Sequence, residues 1–350
     1  MTVVEIKELS PDNSDFWDNI VEISPQGTLF HKIHFLKIVE KYTNSTLHCF
    51  AGYIGNELVA AVPFFSKKRY SMTVFLSPIE SAFIQNLGPI FPNYDGLKQD
   101  KKEYYFREFQ CELDAYLDKN FHITKITLTT SPHLIDARPF VWNNYQIIPK
   151  YNYIKNISNL LTVWTDFKKQ LRKNIEKADK SGVVIREGGL EDLQKIQNSL
   201  LNRLNEQNIN LKISSNYLTE LYNFFHPNNL KIFVAEYKDE FVTGIIVIVY
   251  KNKISIWIGA IQTDLKGLYP VDLLHWKIIE WGHNNGYEFC EIFGANMPTI
   301  SYFKSKYNFD LDIYWHATKN KRSDFIKKCK NCLGIIKKRC VMLNRYPKNQ

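Results

Sequence analysis

The chain has 350 residues, of which 45% are hydrophobic and 14% aromatic; this is enough for about two domains with buried cores and excludes a disordered polymer. No apolar run approaches the roughly 18 residues of a membrane span, Met1–Ser10 lacks the charged-then-apolar order of a leader peptide, and a cytoplasmic protein is the resulting expectation. The net charge of +9 is lopsided: residues 319–350 hold eleven Lys or Arg against one acid, a net of +10, which leaves −1 for residues 1–318.

In chain order, Ser14–Ile23 and His31–Lys41 read as helices around a turn at Ser24–Gly27, with Phe35, Ile38 and Val39 on one face of the second. A hairpin follows, Leu47–Ile54 and Glu57–Phe65, turning at Gly55-Asn56. Asn86–Pro89 reads as a turn, either a plain one or one in which Gly88 lets a ligand approach the backbone closely. Glu103–Asn120 is a helix and Ile123–Thr130 a strand.

Thr162–Gly182 comes next. Phe167, Leu171, Asn174, Ile175 and Ala178 recur at helical spacing and Gly182 is a natural stop, while Lys168, Lys169, Arg172, Lys173, Lys177 and Lys180 make the helix strongly basic. Arg172, beside the apolar stripe, is placed to reach a phosphate. Helices at Leu190–Gln207 and Asn216–Phe225 lead to three strands, Lys231–Tyr237, Phe241–Tyr250 and Ile254–Ala260, then a helix at Pro270–Asn284 and a strand at Tyr287–Phe293.

The second hairpin repeats the first. Leu47–Tyr53 matches Leu230–Tyr237 at its ends, Ala51 and Ala235 both precede a tyrosine by two residues, and Glu57-Leu58-Val59 matches Glu240-Phe241-Val242. The offset is 184 residues, and the helix and strand beyond each hairpin correspond as well. A duplicated α/β (α+β) unit is expected, each copy a mixed sheet flanked by helices, over residues 1–155 and 156–318, followed by a basic helical tail over 319–350. Asp324–Arg345 carries its lysines among apolar residues, a pattern that suits an anionic membrane surface or an RNA backbone. Cys329 and Cys332 have the spacing of half a zinc site, but Cys340 adds only a third thiolate, so the six cysteines are expected as free thiols and no metal is expected.

The connection Gln262–Tyr269 joins a strand to a helix N-terminus, where unpaired N–H groups and the helix dipole favour an anion; Gln262, Lys266 and Gly267 are the donor-binding candidates there. Acyl transfer to an amine needs a neutral nucleophile, an exit for its proton and positive charge for the oxyanion. No Ser-His-Asp or Cys-His order stands out, and Cys290, inside a strand, reads as core. Asp264, Tyr269, Asp272, Glu291, Tyr302 and His316 are the candidate bases, with proton loss to water as the alternative.

Taken together, Arg172–Ala178, Ser181–Arg186, Val234–Tyr237 with Gly244, Trp257–Ala260, Leu274–Trp276, Gly286-Tyr287, Gly294 and Phe303-Lys304 with Phe309 resemble the Fem family of peptidoglycan interpeptide-bridge aminoacyltransferases. The likeness covers most of residues 30–315 and implies two tandem GNAT-like domains. In GNAT-like acetyltransferases a cofactor pyrophosphate sits at the strand-to-helix crossover, here with one glycine where a full motif has two. The resemblance implies Lys304 and Phe303 at the reaction centre, the lysine holding developing negative charge or a donor phosphate and Phe303 walling the acceptor channel. Lys306 is the neighbouring substitute, while Arg172, Asn174, Gly88, Trp257 and Tyr269 are expected to bind substrate, with Lys37 and Lys41 as positional candidates. No permanently bound cofactor is implied. Aminoacyl-tRNA or acyl-CoA serves as co-substrate, a cell-envelope precursor or a small amine such as an amino sugar as acceptor, and tRNA and a peripheral membrane contact through 319–350 as partners. The alternative from another class is a silent RNA- or membrane-binding adaptor.

Overall fold

A computed structural model describes residues 3–69, 72–206, 214–260, 265 and 267–321. The first half runs β1 (Glu5–Leu9), α1 (Ser14–Ile23), α2 (Ile33–Thr43), β2 (Thr46–Ile54), β3 (Glu57–Arg69), β4 (Met72–Ser77), α3 (Gln99–Asn120), β5 (Ile123–Thr129), α4 (Arg138–Trp142) and β6 (Gln146–Asn156). Two helices, α5 (Leu160–Asp166) and α6 (Lys169–Lys180), join it to the second half. That half runs β7 (Val183–Glu187), α7 (Leu190–Glu206), α8 (Ser215–Phe225), β8 (Leu230–Tyr237), β9 (Glu240–Tyr250), β10 (Lys253–Ala260), α9 (Pro270–Asn284), β11 (Phe289–Ile292), α10 (Pro298–Lys304) and β12 (Asp310–Asn320). Each half is therefore β-α-α-β-β-β-α-β-α-β, which is the duplication expected from the paired hairpins.

All twelve strands form one sheet, in the order β1-β2-β3-β4-β5-β12-β6-β11-β10-β9-β8-β7. Under the pairing of copies the order reads the same from either end. Each half lends its last strand to the other: β6 pairs with β11 and β12 with β5, while β6 and β12 pair with each other antiparallel across the centre. Eleven-residue runs such as β6 and β12 are long enough to bridge both halves at about 3.3 Å per residue.

Strand alternation sorts the side chains into two faces. Leu47, Cys49 and Ala51 of β2 and Leu230, Ile232 and Val234 of β8 share one core with α1, α2, α7 and α8. On the opposite face Phe50, Val62 and Phe64 pack under α3 and α4, and Phe233, Ala235, Val247 and Cys290 pack under α5, α6 and α9. Apolar burial at about 25 cal/mol per Å² thus acts through one core common to both halves and two private ones. The basic stretch read as a single helix is broken at Phe167: Phe167 is buried against Trp276 and Tyr307, and its extended backbone ends α5 before α6 begins. The tail helix expected over Asp324–Arg345, with Cys329, Cys332 and Cys340, lies outside the described residues. No helix among the described residues is long and apolar enough to cross a membrane.

Candidate active site

Strands β10 and β11 run parallel with register Lys253↔Phe289 to Ile256↔Ile292, and there the ladder stops. β10 continues on β9 with a bulge between Ile256 and Ile258, while the chain beyond β11 turns away through Gly294, whose φ is +96°. The result is an open splay at the carboxyl ends of two parallel strands joined by α9, the place where α/β sheets receive ligands. Helix α9 opens with Pro270 at its first position and points its N-terminus at the connection from β10.

One side of the splay is built by the shared core. Trp257 lies 5.8 Å from Phe30 and 6.1 Å from Phe35, ring to ring, and Phe293 lies 6.3 Å from Phe30. The Trp257 Nε1–H donates to the Phe83 carbonyl at 2.8 Å. The first half therefore supplies a wall of the second half's opening.

The other side is α10. Its last residue, Lys304, directs Nζ at the Phe293 carbonyl at the mouth of the splay, within 3.3 Å of where a Cβ on Gly294 would stand. Burial lowers the Lys304 pKa to about 8, so the ammonium form dominates at neutral pH with its proton loosely held. Phe303 packs in the core under α9, and the Lys306 Nζ sits 3.7 Å from its ring centroid.

Below this point lies a buried polar network. Asp272, in the first turn of α9 and 2% exposed, accepts from Lys306 Nζ at 2.5 Å, from Asn174 Nδ2 at 2.9 Å and from Tyr307 OH at 3.4 Å. Gln170 Nε2 in turn donates to Asn174 Oδ1 at 2.9 Å. His275 Nδ1 meets Tyr307 OH at 2.5 Å, and burial lowers the His275 pKa to about 3, which keeps the ring neutral.

The candidates from sequence divide accordingly. Lys304, Phe303, Trp257 and Gly267 gather around the splay and its connection, and Gly267 has a φ of +85°. Tyr269 caps α9 in the left-handed conformation with its ring under Lys177, 5.5 Å away. Arg172 is half-exposed on α6. Asn174 faces inward to Asp272 and presents no open surface. Gly88 belongs to the first half. Gln262, Lys266 and Asp264 lie outside the described residues. Among the candidate bases, Asp272 and Glu291 are engaged, the latter by Asn152, Ser255 and Lys253; Tyr302 is 85% exposed; and His316 bonds Thr129 on the first half's strand at 2.9 Å. Lys177 was missed by sequence reasoning: its Nζ comes within 3.6 Å of where a Cβ on Gly267 would stand, and the signal was its place one turn from Asn174 on the basic helix. A separate groove of about 390 Å³ runs between β7, β8 and α9, lined by Ile185, Arg186, Phe233 and Trp281; no candidate residue lines it.

The corresponding position of the first half is closed. β4 and β5 run parallel up to Ser77↔Leu128, and the chain after β4 then folds back into its own opening. Leu87 N donates to Thr129 O at 2.8 Å, Gly88 N to Ser77 Oγ at 3.0 Å, and Ile90 forms a two-way bridge with Ala61. Gly88 has a φ of +72°, and a Cβ there would stand 3.1 Å from the Thr129 carbonyl oxygen and the Thr130 Cα. The close approach at Gly88 is thus to this chain's own backbone.

Among the described residues the paired α/β unit thus keeps one open splay, with a helix N-terminus behind it and a half-buried lysine at its mouth. Residues 165–305 match the family model of the acetyltransferase (GNAT) domain, and an acyltransferase is the class that this match supports. The fold extends the likeness over the whole chain: FemX superposes with a TM-score of 0.64 at 11% identity, covering 89% of this chain and 96% of its own. A tandem GNAT protein from the clavulanic acid biosynthesis pathway gives 0.53 at 10% identity over 91% and 98%, and L-PGS from Bacillus licheniformis gives 0.51 at 15% over 87% and 91%. No curated protein sequence matches the chain.

Proposed function

We propose that the protein transfers an aminoacyl group from aminoacyl-tRNA to a primary amine of a cell-envelope precursor, with the donor held in the β10–β11 splay. The observation that carries this reading is Lys304, a half-buried ammonium at a parallel-strand opening that no described segment fills. The acceptor nitrogen attacks the donor's ester carbonyl, the C–N bond forms, the C–O bond to the ribose breaks, and the amine's proton passes through water to the departing ribose oxygen, which leaves as a hydroxyl. Lys304 sits where it would meet the oxyanion or a donor phosphate, and Phe303 walls the acceptor's path. The likeness of the whole fold to FemX supports the acceptor class.

A second reading, an acyl-CoA donor and an amino sugar or other small amine as acceptor, draws on the geometry at α9. The helix N-terminus and Lys177 beside Gly267 form the kind of cationic crossover that suits a diphosphate. Native mass spectrometry after incubation with acetyl-CoA, or with a charged tRNA pool at low and moderate salt, separates the two. A salt-resistant tRNA complex without CoA supports the aminoacyl donor, and a retained 1:1 CoA adduct selects the second reading. Absence of both, with no transfer to any amine, would falsify the acyltransfer assignment for this site.

A further inference from the structure

We propose that Asp272 is a positioning residue that fixes Lys304 at the splay through the chain Asp272–Lys306–Phe303, a role that deepens the acyltransfer reading and rests on it for its meaning. Three elements that must keep register for transfer meet at this one carboxylate. It belongs to the first turn of α9, directly behind the connection that faces the donor. It accepts from Asn174 of α6 and from Lys306 and Tyr307, which follow α10. Lys306 is held between the carboxylate at 2.5 Å and the Phe303 ring at 3.7 Å, and its main-chain oxygen accepts from Lys168 N at 3.0 Å. Phe303 is the residue immediately before Lys304, so whatever fixes its ring fixes the turn that aims the lysine.

The arrangement is more than core packing. A Lys–Asp pair 20% and 3% exposed at its side chains costs more to desolvate than apolar residues of the same size, so it is weak evidence for stability and better evidence for geometry. Its hydrogen bonds are directional where an apolar contact is not. The His275–Tyr307 pair aligns the donors: with His275 giving its Nδ1–H to Tyr307, the phenol hydrogen is free to point at Asp272. Among the described residues the Lys304 ammonium donates to the Phe293 carbonyl, and its depth depends on the turn below.

The test uses full-length Asp272→Asn, Lys306→Met and Lys306→Arg, each compared with the parent at matched melting temperature. Two readouts are taken. The first is the pH dependence of Lys304 acylation by acetic anhydride, followed by peptide mass spectrometry, which needs no turnover. The parent midpoint lies near 8, and Asp272→Asn and Lys306→Met are expected to move it upward by about one unit as water reaches the loosened lysine, while Lys306→Arg leaves it in place. The second is steady-state transfer: kcat is expected to fall at least tenfold with donor KM changed less than threefold, and the Asp272→Asn/Lys306→Met double variant to lose no more than either single one. A Lys304 midpoint unmoved in both Asp272→Asn and Lys306→Met overturns the proposal even if the parent turns over; additive losses in the double variant overturn it too. A shifted midpoint in a protein that transfers to no amine sustains the positioning role and removes the acyltransfer reading instead.

Discussion

The two halves hold the same ten elements in the same order, yet among the described residues only the second keeps an opening between its parallel strands. In the second half β10 and β11 part beyond Ile256 and Ile292 and nothing described enters the gap except the Lys304 side chain. In the first half the segment after β4 bends back, hydrogen-bonds Thr129 and Ala61, and fills the equivalent gap with Leu87, Gly88 and Ile90. The same sheet geometry is therefore left open in one half and filled by its own chain in the other, and what decides is the course of a single connection. Helix α6, which has no counterpart in the first half, adds Lys177 to the open side only.

The sharpest way to break this comparison is Lys304→Met. Transfer should fall about 10²- to 10³-fold, the scale of losing one oxyanion donor, and the loss of parent activity as pH rises through about 8, where the ammonium is titrated, should disappear. The fold should not suffer. Burial depresses this lysine's pKa, so the folded chain is penalised below about 8 and relieved towards 10.5; removing the amine is expected to raise the melting temperature at pH 7. A lower melting temperature in Lys304→Met would place the lysine among the structural contacts.

Glycine replacements at matched backbone conformations sharpen the contrast. Gly88→Ala should destabilise by about 1–3 kcal/mol, because both its φ and its 3.1 Å approach to Thr129 forbid the methyl group, with donor affinity unchanged. Gly267→Ala meets only the end of Lys177, so it should cost about 1 kcal/mol of stability but weaken donor binding roughly tenfold, the equivalent of about 1.4 kcal/mol. Denaturant melts and donor titrations on both variants check this; equal effects of the two on binding would erase the distinction between closed and open halves.

A last effect is one the halves share. His31 in the first and His275 in the second are fully buried, with pKa values lowered to about 3 by desolvation. The unfolded chain takes up these protons from about pH 6.5 downward and the folded chain does not, so stability falls as pH drops through the window from 6.5 to about 3, by up to about 1.4 kcal/mol per pH unit for each ring. His31→Gln and His275→Gln should each flatten the acid limb of an unfolding curve by a similar amount. A limb untouched by either would mean that other groups govern it.

Much of this architecture was legible in the sequence because its signals are local. Alternation in Leu230–Tyr237, turn residues at Lys238-Asp239, and Pro270 at a helix start each specify an element without reference to the rest of the chain, and the paired hairpins betray the duplication. The Phe303-Lys304 pair was found through family resemblance, and its burial became visible only in three dimensions. What could not be read was non-local. Nothing in Gln146–Asn156 or Asp310–Asn320 says that each strand joins the opposite half, because strand partners are set by the whole sheet. Asn174 reads as a polar residue on a basic helix, and only the arrival of Asp272, 98 positions later, turns it inward. Gly88 reads from sequence as a turn or a ligand approach, and only the fold shows the Thr129 and Thr130 backbone lying against it.

The reciprocal loan of β6 and β12 also bears on how such a chain arises and how it can be taken apart. It is the topology of a strand-swapped homodimer whose two subunits have been joined head to tail by α5 and α6. In a dimer of identical subunits both openings must be alike, since one gene writes both. Once joined, each copy can drift alone, and a lapse in one is covered by the other provided it still delivers its borrowed strand. Expression of residues 1–156 or 157–321 alone would leave a gap at the middle of either sheet, so the closed half cannot be discarded: it persists as the frame that completes its sister.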